Sequence, residues 1–358
     1  MRINTWRTLL AAAALALAGQ VAAQTAAPQT APNAAPPAAQ EVLQNTAQPY
    51  NNAPVWREVR SGDAGFTQLG APAERGVLVQ SSGQTWREAR DMLTLAFGII
   101  LLGSVAALGA FRFLRGPIPV GASGSGKLVK RFERSDILAH WVMAIPWFIL
   151  AVTGILITFA KFTLGPVIGL AATSWIVVTA KNLHNFVGPL LLIGVPWMIW
   201  RYYRFNSFGK QDVIWLSKVV KNMTSDHEYP SHKFNGGEKM VFWIVLVLCT
   251  TMLILSGFVL LFPNFGQPRS AMQIAQLLHM LAGYGAISLA CVHFYLGTVG
   301  LNGAYRAMTH GYVTAEWAHH HHELWYEDAK AGKLSESPMV NAKDVPEDTR
   351  KIVLAACK

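Results

Sequence analysis

A chain of 358 residues that is 52% hydrophobic and only 14% charged, with twelve tryptophans, has the composition of a membrane protein and not of a soluble domain. Its formal net charge of +10 would suit a nucleic-acid binder, but the basic residues cluster at the borders of apolar runs and read as topology signals. The three cysteines, Cys249, Cys291 and Cys357, form no disulfide framework and no thiolate spacing for a metal, which argues against an iron–sulfur cluster in this chain.

Residues 1–23 carry Arg2 and Arg7, then an apolar run, then Val21-Ala22-Ala23 before Gln24, the plan of a cleavable secretory signal peptide. The competing reading is an uncleaved anchor, for which the apolar core is short. Residues 24–90 form an external linker and docking segment. Up to about residue 54 the segment is rich in Ala, Pro, Gln and Asn, too polar to fold alone; beyond it Trp56, Phe66, Leu69, Val77 and Trp86 suit either a small docking element or a loosely ordered tail.

Five apolar spans follow, near 92–114, 137–159, 176–203, 239–262 and 271–305, each close to the twenty or so residues that cross a bilayer. The last is long enough to emerge into water before its end. Basic residues crowd the connections between the first and second spans (Arg112, Arg115, Lys127, Lys130, Arg131, Arg134) and between the third and fourth (Arg201, Arg204, Lys210, Lys218, Lys221, Lys233), whereas the other two connections offer Lys161, Lys181 and Arg269. The positive-inside tendency therefore predicts cytoplasmic basic loops and C-terminus, and an external N-terminus. The Gly-rich run at 121–126 reads as a flexible connection.

Four histidines fall inside spans: His140 in ILAHW, His184 in NLHNFVG, His279 in LLHMLAG and His293 in CVHFYLG. Ionisable side chains at that depth mark function. His279 and His293 are fourteen residues apart, a helical rise of roughly 21 Å and a rotation about 40° short of four turns, so they share one face at two depths. Alternation of the spans then pairs His184 with His279 near the outer surface and His140 with His293 near the inner one. His184, His279 and His293 each have a glycine four residues on (Gly188, Gly283, Gly297), leaving a face on which a flat macrocycle could lie, whereas His140 has Ala144. Neutral imidazole is an axial ligand of haem iron, so the pattern predicts two haems b. Three other readings compete. Packed core histidines would not pair by depth; a proton relay in a transporter would use acidic partners, absent from the interiors of the second to fifth spans; and zinc needs ligands converging in one shell. His227, His232, His310 and the run His319–His322 read as solvated residues of the loop and tail.

Residues 127–326 resemble the cytochrome b (gamma) subunit of membrane-bound respiratory formate dehydrogenase, through RFERSDILAHW, NLHNFVGPLLL, KFNGGEKMVFW, LLHMLAG, CVHFYLG and WAHHHHELWYED. The KFNGGEK segment is the specific part of that likeness. The resemblance implies that His140, His184, His279 and His293 are the haem ligands, in the same pairing. It also implies a quinone beside the inner haem, contacted by Asn235, Gly237 and His293. The implied partners are an iron–sulfur (beta) subunit and a molybdenum- or tungsten-containing catalytic (alpha) subunit in the bacterial inner membrane; formate oxidation would lie on that other subunit, and this chain would pass electrons to quinone. A cytochrome b of a hydrogenase or another periplasmic oxidoreductase is the nearest alternative, and a histidine-dependent transporter the alternative from another class. For Asn235 itself, capping of the helix that begins near Glu238 competes with a ligand contact.

The expected architecture is an all-α membrane protein: a four-helix dihaem bundle at 127–310, one extra N-terminal transmembrane helix at 91–115, and a cytoplasmic tail at 311–358. The resemblance does not reach the signal, the external segment or the extra helix.

Overall fold

The computed structural model describes residues 65–66, 77–79, 81–118, 125–224 and 228–355. The expectations for the leader at 1–23, for residues 24–64, for most of the Gly-rich run, for His227 and for Cys357 lie outside the described residues. The chain divides into two units, residues 1–91 and 92–358. In the first, strand β1 (Gly65–Phe66) pairs antiparallel with β2 (Val77–Val79).

Five helices are long and apolar enough to cross a membrane: Gly83–Arg115, Arg134–Thr163, Leu170–Phe205, Gly236–Leu261 and Arg269–Gly300. They are called here the first to fifth spans. In lipid every backbone N–H and C=O must be satisfied within the segment, which is why continuous apolar runs become helices. The first helix starts at Ser81, earlier than the apolar run alone indicates. Pro146 and Pro196 sit inside helices, and Gly188–Leu190 tightens into a 3₁₀ turn within the third span. In the fourth span Val241–Thr250 is a π-helical stretch; Thr250 Oγ1 donates to the Val245 carbonyl at 2.7 Å and accepts from the Trp147 indole at 3.2 Å, tying this stretch to the second span.

The second span packs along the third, and the fourth along the fifth, with the third and fourth also in contact. Small residues permit the closest approaches. A Cβ on Gly194 would come within 2.8 Å of the Met143 Cα, so the second and third spans touch backbone to backbone there. On the fifth span Ala282, Ala286 and Ala290 are all buried, and Ala286 lies halfway between the two histidines. The first span joins the group from outside: Phe97 stacks on Tyr284 with 4.0 Å between centroids, and Phe111 meets Tyr295 edge-on.

At one end of the bundle the chain folds into a compact cap. Strand β3 (Lys127–Lys130) is the centre of a three-stranded antiparallel sheet flanked by β4 (Tyr312–Thr314) and β5 (Met339–Asn341). Leu128 and Val129 are fully buried, Leu128 against Ala342, Val345 and Val353 from the C-terminal segment. Residues 311–355 thus pack as a structured element.

Candidate cofactor site

Of the two depth-paired sets of histidines, one is brought ring to ring. His184 on the third span faces His279 on the fifth, with 6.1 Å between ring centroids. A metal flanked by two imidazole nitrogens at about 2 Å each puts ring centroids roughly 6 Å apart. The orientation of both rings is set from a neighbouring helix. Thr153 Oγ1, on the second span, lies 2.8 Å from His184 Nδ1; Ser256 Oγ, on the fourth, lies 3.0 Å from His279 Nδ1. With Nδ1 held on each ring, Nε2 is the nitrogen left to face the partner.

Space beside the rings is also provided. A Cβ on Gly188 or Gly297 would meet nothing within 4 Å, and one on Gly283 would meet only Leu253 Cδ2, at 3.6 Å. The glycines one turn beyond His184 and His293 therefore border open space, whereas Gly283 also serves contact with the fourth span. Two further glycines were not signalled by that spacing. A Cβ on Gly154 would come 3.7 Å from His184 Cε1, and one on Gly257 would come 3.3 Å from His279 Cε1. Both let an imidazole lie against the helix that holds it. Thr153 also lines an apolar cavity of about 510 Å³ between the second and third spans, with Phe148, Trp175 and Leu183.

His140 and His293 lie toward the capped end, where the neighbouring Trp141 indole donates to the Met308 carbonyl at 2.9 Å. His293 keeps accessible surface on the fifth span. The Nδ1 of His140 is buried and makes no hydrogen bond among the described residues. The His184–His279 pair, with its second nitrogens engaged and glycine-bordered space at hand, fits a flat macrocycle held through its metal.

The KFNGGEK segment starts the fourth span. Asn235 is the N-cap of Gly236–Met240: its Oδ1 accepts from Glu238 N at 2.9 Å, and a Glu238 carboxylate oxygen accepts from Asn235 N at 3.0 Å. This reciprocal cap satisfies two otherwise orphaned donors. It engages the Asn235 oxygen and leaves the amide NH₂ as a donor. The adjacent glycines face this chain's own helix Lys210–Ser217: a Cβ on Gly236 would come 2.8 Å from the Asp212 carbonyl, and one on Gly237 would come 3.1 Å from the Trp215 ring. Lys239, in the same segment, is buried in a 2.8 Å pair with Asp212.

A polar network joins that segment to the cap. The buried Arg131 donates to Glu238 at 2.9 Å and to the Lys233 carbonyl at 2.9 Å, and its guanidinium lies over the Phe132, Phe234 and Trp317 rings. Arg131 also approaches His322 Nε2 at 3.0 Å; arginine can only donate, so that nitrogen accepts, and His322 Nδ1 donates to the His232 carbonyl at 2.8 Å. Burial above all, then the Arg131 charge, holds His322 well below the usual histidine range. Burial likewise pushes the Lys233 ammonium down to about 8.

Here the expectation of a solvated histidine run fails. His321 and His322 are 1% and 2% exposed, and His321 Nδ1 lies 2.8 Å from Glu228 Oε1. The helix Ala315–His321 turns two of the four histidines onto the loop ahead of the fourth span, while His319 stays exposed. Sequence reasoning also missed Thr153 and Ser256. The signal available was the hydroxyl-glycine dipeptide repeated in two spans, Thr153-Gly154 in AVTGIL and Ser256-Gly257 in ILSGFV.

A bundle of long apolar helices that sets His184 and His279 face to face against glycine-bordered space defines the class: an all-α membrane cytochrome b. The family profile described as prokaryotic cytochrome b561 matches residues 131–311, half of the chain. The chain belongs to that family, and the family implies binding of haem b. Among curated proteins it is 27% identical over 205 residues to the formate dehydrogenase cytochrome b556(fdo) subunit of Escherichia coli, a match covering 56% of this chain and 93% of that one. It is 28% identical over 217 residues to the nitrate-inducible formate dehydrogenase cytochrome b556(Fdn) subunit of the same species, covering 59% and 97%. A third relative, the formate dehydrogenase cytochrome b556 subunit of Haemophilus influenzae, is 28% identical over 204 residues, covering 56% and 82%.

Proposed function

We propose that this chain is the dihaem membrane subunit of a respiratory formate dehydrogenase, with His184 and His279 holding one haem b and His140 and His293 the other. The observation that carries the reading is the pair His184 and His279, brought face to face from two helices with each Nδ1 engaged by a hydroxyl. Bound haem supplies one-electron transfer. The names of the relatives support formate as the substrate of the complex; formate is oxidised on a partner catalytic subunit, and its electrons reach this chain through an iron–sulfur subunit.

The charge asymmetry of the loops supports an orientation in the bacterial inner membrane with the capped end cytoplasmic. The His184–His279 end then receives electrons from outside, and quinone is reduced near His293, Asn235 and Gly237. Asn235 suits a quinone oxygen because its NH₂ donates without carrying charge.

The test is the haem count and spectrum of the purified complex. Two b-type haems per chain are expected, with His184→Ala and His279→Ala removing the same one and His140→Ala and His293→Ala the other; a count that stays at two in these variants overturns the ligand set. Asn235→Asp preserves the cap and is expected to slow quinone reduction while both haems still reduce from formate. Normal turnover there would make Asn235 a cap only. Co-purification of a catalytic subunit that oxidises hydrogen instead of formate would reassign the complex.

A further inference from the structure

The hydroxyls of Thr153 and Ser256 each have one proton, and its destination can be read from their own helices. Thr153 Oγ1 lies 2.8 Å from the Ile149 carbonyl, and Ser256 Oγ lies 2.6 Å from the Met252 carbonyl, four residues back in both cases. A carbonyl can only accept, so each hydroxyl donates to its backbone. What it offers the histidine is a lone pair, and the histidine must donate its Nδ1–H. The carbonyls of Leu150 and Leu253, each three residues before the hydroxyl, lie 3.1 and 3.5 Å from the same two hydroxyls and offer them a second acceptor. Both imidazoles are thereby fixed as the Nδ1–H tautomer, with the Nε2 lone pair bare.

The arrangement occurs twice, on two helices, with a glycine following the hydroxyl each time: Thr153-Gly154 toward His184, Ser256-Gly257 toward His279. It is absent from the other pair: neither His140 nor His293 has a hydroxyl partner among the described residues. Hydrogen bonds to the far nitrogen of a ligating histidine raise its basicity and tune the metal.

We propose that Thr153 and Ser256 are positioning residues that present His184 and His279 to haem iron through Nε2 and lower the reduction potential at that end relative to the His140–His293 end. This rests on the reading of the four histidines as ligands. Stronger donation from Nε2 stabilises the ferric form, which shifts the potential downward. The difference favours electron flow from the His184–His279 end toward the capped end.

The experiment is a redox titration of the intact complex, followed optically and by low-temperature EPR, for Thr153→Val, Ser256→Ala and their combination, beside Thr153→Ser and Ser256→Thr. The expected result is a count of two haems, one of them moved to higher potential with altered ferric g values, the other unmoved, and both properties restored in the hydroxyl-preserving variants. Loss of one haem in the apolar variants with retention in Thr153→Ser and Ser256→Thr also supports the proposal. Two retained haems with unmoved potentials and unmoved ferric signals overturn it, making the hydroxyls packing groups. His184→Ala and His279→Ala in the same series separate the two levels: if those variants keep both haems, the ligand reading itself fails, whatever the hydroxyl variants show.

Discussion

The two ends of the bundle hold their histidines by different means. At the His184–His279 end the second nitrogen of each ring is engaged inside the spans by a hydroxyl from a neighbouring helix, 2.8 and 3.0 Å away. At the His140–His293 end the far nitrogen of His140 has no partner among the described residues, and polarity is concentrated just beyond the spans, in the Arg131, Glu238, Lys233 and His322 network of the cap. The contrast follows from solvation. A polar group within lipid needs its partner on an adjacent helix, whereas one at a span's end can be served by a folded cap with charges of its own.

The largest effect is expected from filling the space beside the proposed ligand histidines. Gly297→Leu and Gly283→Leu should each remove the haem of their own end, halving the haem per chain measured by pyridine haemochrome. Gly297 is the sharper probe, because a side chain there meets nothing within 4 Å in the protein itself. Full haem in Gly297→Leu would show that no macrocycle lies against that face. Full haem with lowered stability in Gly283→Leu alone would make that glycine a packing residue against Leu253.

Next in size is the cap. Arg131→Met strands Glu238, Lys233 and His322 without their common donor, and removing one partner of a buried ion pair costs on the order of 3 kcal/mol. Glu238 is 33% exposed, which puts this pair at the low end. The melting temperature in detergent should fall by several degrees while the haem at the His184–His279 end keeps its spectrum. A loss of both haems together would mean that the two ends are not independently built.

The smallest effect concerns pH. His322 is held neutral in the fold, so the unfolded chain binds an extra proton once the pH drops below the ordinary histidine value of 6.5. Stability from this group is therefore full above that value and is lost as the pH falls, by at most about 1.4 kcal/mol per pH unit. His322→Gln keeps an acceptor for Arg131 and cannot charge; its melting temperature should start lower at pH 7 and decline less toward pH 5. His321, Glu228, Glu238 and His232 surround the same site, and an unchanged slope in His322→Gln would show that the acid sensitivity does not come from His322.

Much of this protein was legible before any coordinates. Span number and approximate extent follow from hydropathy, because lipid admits only helices of a set minimum length. The pairing of His184 with His279 follows from depth and alternation, and a cap was one of the two readings open for Asn235. Tertiary structure decided which helix face meets which. Thr153 and Ser256 look like ordinary span residues until helix rotation sets them against imidazole nitrogens. Gly237, to which the resemblance gives a quinone contact, and its neighbour Gly236 admit Trp215 and Asp212 within about 3 Å of where a Cβ would stand. His321 and His322 carry no local mark that separates them from the exposed His319; they are buried because β4 and the helix after it fold the tail back onto the loop before the fourth span. Local composition records how polar a segment is, and only the packing of segments distant in sequence decides where that polarity is spent.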